Sequence, residues 1–108
     1  MSFFNNLSFF NAFGDAIDID ICDKIEISNS SFYNSKNDGI DLMESNVDIL
    51  NVNILNSQDK AISIGEASTA NIKNSTLEKN KTAIAVKDKS TALIQKVNFL
   101  NNESQISA

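Results

Sequence analysis

The sequence predicts an all-β solenoid of four to five coils, because one apolar position recurs at intervals of 22 or 23 residues. The residues at that position are Phe9, Phe32, Ile54, Leu77 and Phe99. Two further segments follow at nearly fixed offsets, and both alternate apolar with polar side chains. Three short strands per period predict a chain that coils around an axis and stacks each strand on its counterpart one coil away.

The first strand of each coil places two aliphatic residues two positions apart. The pairs are Ile17 and Ile19, Ile40 and Leu42, Ile62 and Ile64, and Ile84 and Val86. A spacing of two is the period of a strand with one buried face, and it excludes a helix as the repeating element. The second strand alternates in the same way around Ile27, Ile49, Ile72 and Ile94. Branched aliphatic side chains suit such half-buried strands.

Parallel pairing is predicted from the connections between the strands. The segments are too short for hairpins, and no Asn-Gly or Asp-Gly dipeptide joins two of them. Stacking each strand on the next coil then gives three parallel sheets, with neighbouring strands about 4.8 Å apart. The inward side chains form ladders of like residues, one of which runs from Phe9 to Phe99.

Asparagine recurs at the predicted corners of the coils. One series lies three residues before the Phe9 position, and a second follows that position by two. The first series is Asn6, Asn29, Asn51, Asn74 and Lys96, and the second is Asn11, Asn34, Asn56, Lys79 and Asn101. Asparagine accepts the left-handed backbone of tight corners, and stacked amides can hydrogen-bond along the stack. We therefore expect two asparagine ladders that fix the corners.

The phased repeat resembles the right-handed parallel β-helix of the pectate-lyase-like superfamily. The resemblance rests on a Gly/Ala-Ile-polar-aliphatic segment, a Val-x-Ile-x-Asn segment, and an aromatic residue followed by a second Asn. It extends from about Asn6 to Asn101 and implies a right-handed parallel β-helix. It does not imply one function, because this fold hosts lyases, hydrolases, epimerases, adhesins and inert scaffolds.

Two segments, 60–66 and 83–88, also resemble β-helix modules of large bacterial surface proteins. That resemblance implies an extracellular or cell-surface location if the chain is part of a larger secreted protein. The sequence has no proline, three glycines and no linker-like stretch. We therefore interpret residues 1–108 as a single β-helix domain, either whole or a fragment of a longer solenoid.

Charge and composition narrow the range of partners. The chain carries a net charge of −5 and contains neither arginine nor histidine, so nucleic acid is not an expected partner. Its first ten residues lack a basic start and a long apolar run, which predicts neither a signal peptide nor membrane insertion. The charge is uneven: residues 1–54 hold nine acids and two lysines (net −7), and residues 55–108 hold five acids and seven lysines (net +2).

The residues suited to chemistry lie on the outward face of the first sheet. Asp18 and Asp41 occupy equivalent positions in successive coils, so their carboxylates should lie about 5 Å apart. Oxygen ligands at this spacing suit Ca²⁺, and a close carboxylate pair is also what retaining glycosidases use. The candidate metal ligands are Asp15, Asp18, Asp20, Asp38 and Asp41, and the candidate catalytic residues are Asp18, Asp41, Lys60 and Glu66.

The alternative interpretation is that these acids form a solvated, solubilising stripe. Because the chain has no Arg or His, it lacks the arginine base that the resemblance implies for lyases and the histidine it implies for hydrolases. Lys60 would act as a base only if burial lowered its pKa strongly. The sequence therefore favours a module that is not an enzyme. It leaves open a fragment of a polysaccharide lyase, epimerase or hydrolase with a Ca²⁺-dependent site.

A second surface is predicted directly after the Phe9 position, where strand alternation turns the next residue outward. The large apolar residues there are Phe10, Tyr33, Leu55 and Leu100, and Glu78 interrupts them. Laddered along the axis, they form a patch of the size at which association becomes common. Open strand edges and the gradient from an acidic to a basic end favour head-to-tail stacking instead, so side-by-side and end-to-end association both remain open. We therefore expect a structural or binding module that forms homo-oligomers, with polysaccharide as a further expected partner.

Overall fold

The computed structural model describes residues 2–108, and these residues form eleven β-strands and no helix. Met1, which the sequence analysis counted within the domain, lies outside the described residues. The strands are β1 (Ser2–Asn5), β2 (Ser8–Phe10), β3 (Ile17–Asp20), β4 (Ile25–Tyr33), β5 (Ile40–Met43), β6 (Asn46–Leu55), β7 (Lys60–Gly65), β8 (Thr69–Glu78), β9 (Thr82–Val86), β10 (Thr91–Leu100) and β11 (Ser104–Ser107).

The strands pair in parallel and make two sheets. Sheet A has the order β1–β4–β6–β8–β10, with β2 also paired to β4, and sheet B has the order β11–β9–β7–β5–β3. Each pairing joins residues 22 or 23 positions apart, as where Ile40 lies beside Ile62 and Ile62 beside Ile84. The chain is therefore a parallel β-solenoid of about five turns, which confirms the predicted fold class.

The structure has two sheets, whereas the sequence predicted three, so that prediction was wrong. The second and third predicted strands run on as one strand of 9 or 10 residues in β4, β6, β8 and β10. Each of these strands is bent at a left-handed residue with φ between 51° and 55°: Asn29, Asn51, Asn74 or Lys96. One such residue turns the chain sharply yet leaves the ladder on both sides of it in register. The two predicted sheets therefore join into sheet A.

The asparagine ladders at the corners are confirmed. All ten predicted corner residues, the two lysines included, have left-handed backbone. Their amides hydrogen-bond between coils: Asn51 Nδ2 donates to Asn29 Oδ1 at 2.7 Å, and Asn56 Nδ2 donates to Asn34 Oδ1 at 2.9 Å. The first ladder also includes Asn5, whose Oδ1 accepts from Asn29 at 2.9 Å. The hydrogen-bonded parts of the ladders thus run through Asn5, Asn29 and Asn51 and through Asn11, Asn34 and Asn56, where side-chain bonds add to the backbone bonds between coils.

The core lies inside the coil and consists of ladders of like side chains. Phe9 and Phe32 stack with ring centroids 5.0 Å apart and planes 4° apart. The largest fully buried side chains are Phe32, Ile27, Ile40, Leu42, Ile49, Ile54, Ile62, Ile64, Ile72, Leu77, Ile84 and Val52. Burying each of these large apolar side chains stabilises the folded chain by roughly 1.5–3 kcal/mol. Successive coils can pack tightly because they present the same shapes to one another.

Buried polar side chains serve the backbone of the neighbouring coil. Ser45 Oγ accepts from the N–H of Cys22 at 3.0 Å, and Ser68 Oγ accepts from the N–H of Ser45 at 3.0 Å. Asn80 Oδ1 accepts from the N–H of Ser57 at 2.8 Å. Such bonds are needed because a buried N–H without a partner is costly. Among residues 2–108, the Ser57 hydroxyl oxygen is the one buried side-chain N or O atom without a partner.

Replacing a central ladder residue with aspartate should unfold the chain. Ile62 is fully buried, and an unpaired carboxylate at its position costs several kcal/mol, comparable with the whole stability of a small domain. We expect Ile62→Asp, and equally Ile40→Asp, to lose the β-sheet circular dichroism signal and cooperative urea unfolding. Ile106→Asp is the matched control, because Ile106 belongs to the same ladder but is 52% exposed. A cooperative transition of Ile62→Asp at the wild-type midpoint would contradict this packing.

Candidate functional site

The outward face of sheet B brings three predicted acids together. Strands β3 and β5 place Asp18 and Asp41 side by side in register. Asp15 approaches them from the turn before β3. Carboxylate oxygens of the three residues all lie within 4.8 Å of one another. The spacing matches the roughly 5 Å expected from neighbouring parallel strands, and such a set of oxygen atoms suits a hard divalent cation.

Asp38 lies at the entrance of β5, as predicted, and it is more deeply buried than Asp15, Asp18 and Asp41. It is 5% exposed, and its Oδ1 accepts from the backbone N–H of Lys60 at 3.0 Å. Asp15 makes the equivalent bond one coil earlier, because its Oδ1 accepts from the N–H of Asp38 at 3.0 Å and from Asn37 Nδ2 at 2.8 Å. Asp38 therefore joins coils at the entrance of β5, and its main contact is with backbone.

An acidic groove of about 290 Å³ runs past this cluster along the ends of the sheet B strands. It is lined by Asp18, Asp20, Asp41, Leu42, Met43, Ser63, Gly65, Glu66, Lys87 and Asp88. Of the described residues that line the groove, five are acids and Lys87 is the one cation. The groove therefore repels an anionic polymer unless a cation bridges the two.

Burial and neighbouring charges raise the pKa of Asp41 from 3.8 to about 6. Desolvation is the largest cause, and the charges of Asp15, Asp38 and Asp18 add to it in that order. The hydrogen bond from the Ser63 hydroxyl acts in the opposite direction and is too weak to cancel them. Asp41 is thus the acid of the cluster whose ionisation is most disfavoured, and a bound cation would reverse that preference.

The pKa values of Asp18 and Asp38 are raised as well. Desolvation is the first cause for both, and the charge of Asp20 is the next cause for Asp18. The backbone hydrogen bond from Lys60 partly opposes the shift of Asp38. Asp18 is exposed, so solvent screens its interactions more than those of Asp41.

Lys60 is held as a cation by its surroundings. Its Nζ lies 2.9 Å from Asp59 Oδ2. Partial desolvation acts to lower the pKa of Lys60, but the hydrogen bond to Asp59 and the charges of Asp38, Asp59 and Asp41 outweigh it, and the pKa is raised. A general base needs the opposite shift. Of the four candidate catalytic residues, the structure pairs Asp18 with Asp41, places Glu66 on the wall of the groove, and engages Lys60 with Asp59.

The second surface is a column of outward side chains on sheet A, which we call the apolar column. Its five members are in register in successive coils: Phe10, Tyr33, Leu55, Glu78 and Leu100. The rings of Phe10 and Tyr33 stack with centroids 5.1 Å apart. Phe10 is 64% exposed and Leu100 is 45% exposed, while Tyr33 and Leu55 are half-buried. The predicted interface residues therefore lie on one line, which Glu78 interrupts between Leu55 and Leu100.

A neutral column lies beside the apolar column, two residues earlier in each strand. It consists of Ser8, Ser31, Asn53, Thr76 and Asn98, which are also in register. This column was not among the features predicted from the sequence, although strand alternation from the Phe10 positions indicates it. Because these side chains are short and uncharged, they leave the face flat and free of charge next to the apolar column.

The comparison with protein families now gives the class of this chain. Residues 2–107 match the family described as the right-handed beta helix region, so the chain belongs to that family. The predicted right-handed β-helix is therefore confirmed. No curated protein and no solved structure gives a significant match. Within residues 2–108, no helix is long and apolar enough to cross a membrane.

The raised pKa of Asp41 predicts a pH dependence of stability. A carboxyl group with a pKa near 6 in the folded state and 3.8 as its ordinary value is protonated more in the folded than in the unfolded chain between those limits. The free energy of unfolding should therefore fall as the pH rises from about 4 to about 6, by on the order of 1 kcal/mol after solvent screening. Urea unfolding across this range should show the decrease in wild type and a smaller decrease in Asp41→Asn, in which Asp18 and Asp38 remain. Glu103→Gln, outside the cluster, should keep the wild-type decrease, and an unchanged slope in Asp41→Asn would refute the assignment.

The cluster of Asp15, Asp18 and Asp41 predicts binding of a divalent cation. Calorimetry with Ca²⁺ should give heat with the native chain and none with Asp18→Asn/Asp41→Asn, because two of the three carboxylates are then lost. Affinity should rise with pH through about 6, as Asp41 ionises. Glu26→Gln/Asp48→Asn is the matched control, because these acids form a registered pair on sheet A. No heat with the native chain would mean that the acids are a solvated stripe.

Proposed function

We propose that this chain is a structural β-solenoid module that associates side by side with copies of itself through the apolar column. The observation that carries the proposal is the register of Phe10, Tyr33, Leu55 and Leu100 on one face. Single exposed apolar residues are common on protein surfaces and need no explanation. A line with an apolar residue in four of the five coils is a different feature, because it provides one patch that a second flat surface can cover.

The shape of the face supports packing of two sheets. The column spans four strand spacings, or about 19 Å. Its neighbouring column is neutral and short, so a second sheet can approach to the roughly 10 Å at which sheets pack face to face. Burial of the exposed parts of Phe10 and Leu100 contributes about 25 cal/mol to the free energy of association for each Å² of apolar area. The patch covers on the order of a few hundred Å² per copy, which corresponds to a weak interface.

Binding of an oxygen-rich polymer such as a polysaccharide at the acidic groove is a second candidate function. The observation that favours it is the convergence of Asp15, Asp18 and Asp41, since a cation held there would bridge the groove to uronate groups. Catalysis, as in a fragment of a lyase, epimerase or hydrolase, has less support, because the raised pKa of Lys60 works against a basic role. Screening against uronate polymers with and without Ca²⁺ separates the cases: turnover supports an enzyme, and Ca²⁺-dependent binding alone supports a module.

Self-association should depend on the apolar column and not on exposed apolar residues in general. Sedimentation equilibrium of the wild type should give a mass above the 11.8 kDa of the monomer, at concentrations from about 10 µM to about 1 mM that suit a weak interface. Leu100→Asp should raise the dissociation constant by at least about tenfold, because it buries a charge at the interface.

Leu93→Asp is the matched control for Leu100→Asp. Leu93 belongs to the same strand, β10, and is 51% exposed against 45% for Leu100, but it lies outside the apolar column. We expect Leu93→Asp to associate as the wild type does. A wild-type chain that sediments as a monomer throughout, or equal weakening by the two substitutions, would contradict the proposed interface.

A further inference from the structure

We infer that two copies pack with their solenoid axes antiparallel, about a two-fold axis that passes Leu55. This inference rests on the proposed self-association through the apolar column, and it assigns the partner of each side chain in that column. It also gives Glu78, which breaks the apolar line, a function in the interface.

The order of side chains in the column fits a two-fold interface. In such an interface, if one residue contacts a second residue of the partner, the second contacts the first. Leu55 is the third of the five members, so antiparallel packing about it places Leu55 against Leu55 of the partner. Phe10 then lies against Leu100 of the partner, which pairs the two most exposed members of the column. Tyr33 lies against Glu78 of the partner.

The pairing of Tyr33 with Glu78 gives each of these two polar side chains a hydrogen-bond partner in the interface. The neighbours of Tyr33 within the column are Phe10 and Leu55, and neither side chain offers an acceptor to its hydroxyl. Across the antiparallel interface, the Tyr33 O–H can donate to the Glu78 carboxylate of the partner, which is a charge-assisted hydrogen bond. Both groups can then leave water with a partner.

Parallel packing about an axis along the solenoid has the opposite effect at these positions. It places Glu78 against Glu78 of the partner and Tyr33 against Tyr33. Two carboxylates at contact distance repel each other, and the repulsion strengthens as water is excluded. The same column that is self-complementary in the antiparallel arrangement is therefore self-repelling in the parallel one.

The charge along the solenoid favours the antiparallel arrangement independently. Residues 1–54 carry a net charge of −7 and residues 55–108 a net charge of +2. Since sequence position maps onto position along the axis, antiparallel packing puts the acidic half of each copy beside the basic half of the other. Parallel packing puts the two acidic halves side by side. Five of the nine acids in the first half (Asp15, Asp18, Asp20, Asp38 and Asp41) lie on sheet B strands or at their entrances, away from the apolar column. Because exposed charges act over about 8 Å at physiological salt, this difference acts on the approach of two copies at low salt rather than on the faces in contact.

A charge exchange tests the pairing of Tyr33 with Glu78. In the antiparallel dimer, Tyr33→Glu faces Glu78 and should raise the dissociation constant measured by sedimentation at least about tenfold. Tyr33→Glu/Glu78→Lys faces glutamate with lysine at both symmetric contacts and should return the constant to within about threefold of wild type. In a parallel dimer the double variant sets two glutamates against each other at position 33 and two lysines at position 78, and it stays dissociated. Circular dichroism checks that each variant is folded.

Disulfide trapping gives a second readout that does not depend on charge. Phe10→Cys and Leu100→Cys are each made in a Cys22→Ser background. In the antiparallel dimer, equivalent copies of position 10 are about 19 Å apart, too far for a disulfide. Mild oxidation should therefore cross-link a mixture of the two variants and neither variant alone. Cross-linking of Phe10→Cys with itself, without a mixed product, would overturn the antiparallel geometry.

The failure of this inference and the failure of the proposed function are distinguishable. A wild type that dimerises without rescue by the double variant and without a mixed disulfide overturns the antiparallel geometry, while the proposed self-association stands. A wild type that remains a monomer overturns the proposed self-association and this inference with it. Rescue together with the mixed disulfide supports both.

Discussion

The register between successive coils is the constraint on which the rest of this structure depends. Each strand pairs with residues 22 or 23 positions away, and the alternation of inward and outward side chains has a period of two. A slip of one residue would therefore turn every inward side chain of a strand outward. The register stacks Phe9 on Phe32, joins Asn29 to Asn51, and places Asp18 beside Asp41. Core, corners and both surfaces follow from one repeat length.

Much of this could be predicted because the repeat is written directly in the sequence. The period, the inward ladders, the left-handed corners and the pairing of Asp18 with Asp41 all follow from spacing alone. The merging of two strands at Asn29 could not be predicted, because alternation does not show whether a bend interrupts pairing. The role of Asp38 depends on the Lys60 N–H beneath it, which only three-dimensional packing reveals. The conformation of Ile21 could not be predicted either. Ile21 is 71% exposed and has left-handed backbone (φ 53°), which a β-branched residue rarely adopts.

The two surfaces of the solenoid make different chemical demands on a partner. The acidic groove concentrates carboxylates, among them Asp41 with its raised pKa, and is suited to a cation or to a ligand that brings one. The apolar column has one charge, at Glu78, and is suited to another flat apolar face. Membership of the right-handed β-helix family defines the scaffold and not the function. The function has to be argued from these side chains, and the apolar column is the surface that spans every coil.

Native-state hydrogen exchange of the backbone amides tests the dependence on coil stacking most directly. If hydrogen bonds between coils and the ladders beneath them carry the stability, strands with a coil on both sides should be the last to open. The opening free energies measured for amides of β5 to β8 should then equal the free energy of global unfolding. Amides of β1 and β11, each paired on one side, should exchange faster. Amides of β5 to β8 that exchange as fast as those of β1 and β11 would contradict the account.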